Sequence, residues 1–106
     1  MMRAIMSSLT LDQALDRGLR AQSARDFAAA EQAYREALSI APNDPETNSL
    51  LGLVFAQAGR LEEGVVLLQR AVELDPSDFV ARRRLGTILV ESIRPDLAAE
   101  GLGIFD

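Results

Sequence analysis

The sequence predicts an all-α protein folded as three stacked antiparallel helical hairpins, and three observations point there. Apolar residues recur at helical spacing, as in the stripe Ala30, Ala33, Tyr34, Ala37 and Leu38, while the alternating runs of a half-buried strand are lacking. Turn and cap signals return at hairpin spacing: Asp26, Pro42 to Pro45, Ala58 to Arg60, and Asp75 to Asp78. The chain also matches itself at a period of 34 residues. That shift superposes Gly18 on Gly52 on Gly86, Leu19 on Leu53, Ala30 on Gly64 on Ala98, Ala37 on Ala71, Pro42 on Pro76 and Asp44 on Asp78. A hairpin of two helices cannot bury its apolar face alone, so a recurring hairpin implies stacking.

Taken in order, Thr10 and Gln13 form a capping box that opens the first helix, which should run to about Ala24. Asp26 can cap the second helix, and Pro42 stops it. Asp44 is a good cap for the third, with Pro45 at the first helical position, where a missing N–H leaves nothing unpaired. This helix should reach Ala58, after which Gly59 supplies a left-handed turn into a fourth helix from Leu61 to Leu74. Ser77 or Asp78 caps the fifth, ending near Ile93, and Pro95 starts a sixth. The connections are too short for anything but antiparallel neighbours. Glycine within a helix costs about 1 kcal/mol relative to alanine, so Gly52 and Gly64, set among apolar residues, mark a close approach of two backbones.

Composition narrows the functions open to the chain. At 106 residues, with 48% apolar and 25% charged residues, it is one domain's worth of sequence and large enough to bury roughly two-thirds of its unfolded surface. Cysteine is absent, which removes disulfides and thiolate metal sites. All eleven basic residues are arginine, against sixteen acids, for a net charge of -5. Affinity for nucleic acid rests on phosphate neutralisation, and this chain lacks the basic footprint apart from Arg82-Arg83-Arg84. Those arginines read as a solvated helix face paired with Asp78 or Glu91. Without histidine, lysine or cysteine, the usual bases, Schiff-base formers and thiolate nucleophiles are missing. Asp12 and Asp16 share a helix face but lack a third, neutral ligand, and Glu62 and Glu63 diverge by about 100°. Gly101-Leu102-Gly103 lacks the strand and third glycine of a dinucleotide loop. The sequence therefore predicts no enzyme, no cofactor and no metal. The opening "MMRAIMSSLT" holds too short an apolar run for a signal peptide, and no run approaches a membrane span, so the expected location is cytoplasmic. Residues 1–9 read as a flexible segment ahead of a domain over 10–106.

The repeated residues resemble the tetratricopeptide repeat, whose pattern runs Trp-x-x-Leu-Gly-x-x-Tyr, then Ala-x-x-x-Phe, then Pro. The second repeat, 45–78, fits with Leu51, Gly52, Phe55, Gly64, Leu68, Ala71 and Pro76, and has Asn48 at the tryptophan position. The first, 11–44, supplies Gly18, Ala21, Ala30, Tyr34, Ala37 and Pro42, with Ala14 for tryptophan and Arg17 for leucine. The third, 79–106, supplies Leu85, Gly86, Leu89, Ala98 and Leu102. The resemblance implies a right-handed α-solenoid whose concave side is lined by the first helix of each repeat and binds segments of other proteins.

Transferred residue by residue, the implied groove includes Leu15, Leu19, Gln22, Ser49, Leu53, Gln57, Arg83, Arg84, Thr87 and Val90, with Asp12, Ser23, Glu46, Ala56, Val80 and Glu91 at matching positions. One subset of the family clamps a terminal carboxylate, but here Leu15, Leu19 and Val80 stand at clamp positions and only Arg84 survives. The implied ligand is a partly apolar peptide or helix, with Arg83 facing an acidic group. The chain reads as a scaffold or adaptor. The alternative is an N-terminal targeting or oligomerisation domain of a larger enzyme, since such repeats in bacteria are often fused ahead of transferases. Leu97, Leu102, Ile104 and Phe105 form an apolar edge, so self-association into a homodimer through the last helix is expected.

Overall fold

Thr10 opens the first helix as its sequence requires. Its hydroxyl accepts from the Gln13 amide at 3.1 Å while the Gln13 side chain accepts from the Thr10 N–H at 2.9 Å. The computed structural model describes residues 10–93, and among them there are five helices and no strand. They are α1 (Leu11–Ser23), α2 (Phe27–Ile40), α3 (Pro45–Gln57), α4 (Leu61–Leu74) and α5 (Phe79–Ile93). The expected sixth helix, the apolar edge at Leu97, Leu102, Ile104 and Phe105, and the segment 1–9 lie outside the described residues.

The turn inside each hairpin is the same object built twice. After α1, the Arg25 amide donates to the Gln22 carbonyl and the Asp26 amide to the Ala21 carbonyl; after α3, Gly59 donates to Ala56 and Arg60 to Phe55. This is the paired hydrogen bonding of a Schellman cap, which needs a left-handed residue just past the helix. Gly59 meets the need with φ 87°, as expected. Arg25 meets it with φ 60°, a position where a Cβ is strained by roughly 1–2 kcal/mol. Between hairpins the turns are closed by aspartates. Asp44 accepts from the Thr47 amide, and Asp78, rather than Ser77, caps α5 by accepting from the Val80 and Ala81 amides at 3.0 and 3.2 Å. Ser77 instead donates its amide and hydroxyl to Asp75.

Packing follows chain order: α1 on α2, α3 on α4, α2 on α3, α4 on α5, with α3 also reaching α5. The core sits between α2, α3 and α4, where Tyr34, Leu51, Val54 and Leu68 are at most 1% exposed. Burying an aliphatic side chain of this kind contributes about 1.5–3 kcal/mol. α3 and α4 cross at their glycines. A Cβ on Gly64 would lie 2.7 Å from the Gly52 carbonyl oxygen, and one on Gly52 would lie 2.8 Å from Leu68 Cγ. Neither position leaves room for a methyl group, which confirms the close approach read from sequence.

Two polar side chains of the second repeat, Asn48 and Arg60, join elements of the fold. Asn48, at the tryptophan position, is 1% exposed and donates its side-chain amide to the carbonyls of Pro42 and Asp44 at 3.2 and 2.9 Å. It therefore ties α3 to the turn that precedes it. Arg60 sits where Asp26 caps the first hairpin, yet makes no side-chain cap. Its guanidinium lies 4.2 Å from the Phe55 ring centroid and pairs with Glu63 and with Glu31 of α2, both at 2.7 Å. The Arg60 hydrogen bond is the main cause that holds the Glu63 carboxyl below its usual range.

Candidate protein-binding groove

The first helices of the hairpins lie side by side, joined by polar contacts between residues 35 apart in sequence. Gln22 of α1 donates to Gln57 of α3 at 2.8 Å, and Arg84 of α5 donates to the Ser49 hydroxyl of α3 at 2.8 Å. A third contact comes from beneath: the Tyr34 hydroxyl, at the end of a side chain 0% exposed, donates to Gln22 at 2.8 Å. Its α2 helix is a second helix of a hairpin, so the phenol crosses the layer and holds Gln22 from below. The phenol pKa is pushed up to about 12; burial raises it, the Arg84 charge opposes the rise and Glu46 adds to it.

Between α3 and α5 a hollow of about 410 Å³ opens on this face. Its walls are Leu53, Ala56 and Gln57 from α3 and Val80, Arg83, Arg84, Thr87, Ile88 and Glu91 from α5. On α5 the residues Val80, Arg84, Thr87, Ile88 and Glu91 recur at helical spacing, so the register that gives the helix its turn also gathers them on one wall. The apolar part is not fully covered: Val80 is 55% exposed while Ile88 is 3% exposed. A surface of this kind offers hydrophobic contact, guanidinium donors and a carboxylate, which suits binding to a protein segment.

The ten groove residues expected from sequence separate into groups. Leu53, Gln57, Arg83, Arg84 and Thr87 meet at the hollow. Gln22 joins them through Gln57. Leu19 is 43% exposed on α1, and Val90 is half-buried on α5; neither lines the hollow. Two differ from the expectation. Leu15 is half-buried and packs against the core cluster, and Ser49 is 1% exposed, so its hydroxyl serves the groove only by holding Arg84. The pairing of the arginine cluster with Asp78 or Glu91 is also corrected. Asp78 is occupied as a helix cap, Arg84 is held by Ser49, and no ion pair of Arg82, Arg83 or Arg84 is present among the described residues.

Spacing assigns Tyr34 to the core stripe alone. The missed signal is the hydroxyl itself, since a buried tyrosine needs a polar partner at its tip. Ile88 was also missed as a wall residue; nothing in its spacing separates a wall from a core position. No group of three or more His, Cys, Asp or Glu side chains able to hold a metal occurs among the described residues. None of the helices there is long and apolar enough to cross a membrane.

Comparison with known proteins identifies the repeat. The family profile described as tetratricopeptide repeat matches residues 15–79. The chain is 35% identical over 83 residues to the small glutamine-rich tetratricopeptide repeat-containing protein 2 of Mycosarcoma maydis, covering 78% of this chain and 24% of that protein. It is 32% identical over 73 residues to the BBSome complex member bbs-4 of Caenorhabditis elegans, covering 69% of this chain and 16% of that protein. The chain thus spans about a quarter or less of the length of these relatives.

Proposed function

Because the chain belongs to the tetratricopeptide repeat family, we propose that the face shared by α1, α3 and α5 captures a partly apolar segment of another protein, as a scaffold or adaptor does. Repeats of this family mediate protein–protein interaction and act as non-catalytic modules. The observation that carries the finer reading is the hollow between α3 and α5, where exposed Val80 and half-buried Leu53 and Ala56 stand beside arginines that make no ion pair with a described carboxylate. Apolar surface of this kind, flanked by donors, is stabilised when a partner covers it. One relative is named as a member of a protein complex, which agrees with an assembly role.

The test is a groove variant carrying Leu19→Glu and Leu53→Glu, compared with the unaltered protein for partners that co-purify from the native cell. Leu19 is 43% exposed and Leu53 is half-buried, so the helical circular dichroism should persist while the partner is lost. A partner retained at full yield by the folded variant refutes binding at this face.

A further inference from the structure

The hollow between α3 and α5 carries charges of opposite sign at its two ends. Arg83 and Arg84 stand in the second turn of α5, and Glu91 in its last turn, all three lining the same cavity. Arg84 and Glu91 are seven residues apart, two helical turns, which places them on one face with about 10 Å between them. Leu53, Ala56 and Ile88 form the apolar wall of the same hollow. Among the described residues neither arginine nor Glu91 takes part in an ion pair. The acidic end extends into an adjoining hollow of about 410 Å³, lined by Glu62, Glu63 and Glu91, of which Glu63 is held by Arg60.

Helix stability does not account for this layout. The helix macrodipole favours acids near the first turn and bases near the last, and α5 has neither an acid in its first turn nor a base in its last. Its charges run the other way. Resting on the reading of this face as a protein-binding groove, we propose that the hollow recognises an amphipathic helical segment of a partner by charge order. The segment runs parallel to α5, and its stripe carries an acidic residue at position i, aliphatic residues at i+3 and i+4, and a basic residue at i+7. The acid meets Arg83 and Arg84, the aliphatic pair fills the wall at Leu53 and Ile88, and the base meets Glu91. A helix laid along α5 matches this spacing because both helices repeat with the same rise, about 1.5 Å per residue. The hollow is therefore a reader of paired charges, distinct from a site for a single anion.

The experiment uses four terminally blocked, alanine-based helical peptides of about sixteen residues, long enough to form helix in part. All carry leucines at i+3 and i+4, and the i/i+7 pair is Glu/Arg, Glu/Glu, Arg/Arg or Gln/Gln. Binding is followed by NMR shifts of the Ala56, Thr87 and Glu91 amides at low salt. Glu/Arg should bind best, each mismatched charge weakening it about fivefold, with the discrimination fading as salt rises. Glu91→Arg, which suits a helix C-terminal turn, should move the preference to Glu/Glu, and the double variant Arg83→Glu with Arg84→Glu should move it to Arg/Arg. Equal binding of all four peptides, lost in the Leu19→Glu, Leu53→Glu variant, overturns the charge reading and leaves the groove intact. Strongest binding of Glu/Glu by the unaltered protein, or an unchanged preference in Glu91→Arg, overturns it as well. Absence of binding by any peptide overturns both this inference and capture of such segments at the groove.

Discussion

Replacing Gly64 with alanine sets two known effects against each other. In a helix interior the change is worth about 1 kcal/mol in favour of the folded state, because alanine has the better propensity. At this crossing, however, the new Cβ would sit 2.7 Å from the Gly52 carbonyl oxygen and 3.3 Å from the Ala56 amide nitrogen, both backbone atoms of α3. Real Cβ atoms essentially never approach below 3.0 Å, and backbone cannot rotate away as a side-chain tip can. The helices must separate by a few tenths of an ångström, and the neighbouring contacts of Leu51, Val54 and Leu68 loosen with them. Overpacking typically costs about 1–3 kcal/mol, and a clash against backbone that cannot give way lies in the upper part of that range, about 2–3 kcal/mol, so after the propensity gain the net result is destabilisation by roughly 1–2 kcal/mol. For a domain of this size that lowers Tm by roughly 4 to 16 °C. Urea and thermal unfolding followed by circular dichroism measure it. The close-crossing argument is refuted if Gly64→Ala is as stable as the unaltered protein, or more so by the propensity increment.

Arg25 holds a left-handed backbone that glycine adopts freely at Gly59, so Arg25→Gly should stabilise by up to about 1 kcal/mol in urea titration, offset in part by loss of the Arg25 contact with the Phe27 ring. Asn48→Ala leaves the carbonyls of Pro42 and Asp44 without the side-chain donor and should cost about 1–3 kcal/mol in the same assay. The Tyr34 phenol has a folded pKa of about 12 against an ordinary 10.0, so the folded state binds the proton more tightly. Its contribution, up to about 2–3 kcal/mol, is fully present below pH 10 and is lost as pH rises towards 12. Tyr34 is the single tyrosine, so tyrosinate absorbance reports it directly, and Tyr34→Phe should remove this limb of the alkaline stability profile.

The sequence alone determined the all-helical class, the boundaries of α1 to α5 and the close approach at Gly52 and Gly64. Those features rest on signals a few residues long, such as Thr10 with Gln13, Asp44 with Pro45 and Gly59, repeated at a fixed period. Local hydrogen bonding and sterics decide them, and both are written in adjacent residues. Tertiary structure decided the rest. Whether Ser49 faces a partner or lies beneath Arg84, whether Leu15 joins the groove or the core, and where the tip of Tyr34 emerges all depend on how one hairpin sits on the next. Asn48 shows the limit from the other side: by family pattern it is a small polar misfit, and only its turn, folded back over it, supplies the carbonyls that make it a tie. Periodicity fixes which residues share a helix face, but the partner of each side chain is set by stacking between repeats, where the contacting residues are 35 positions apart and no local pattern ranks one partner over another.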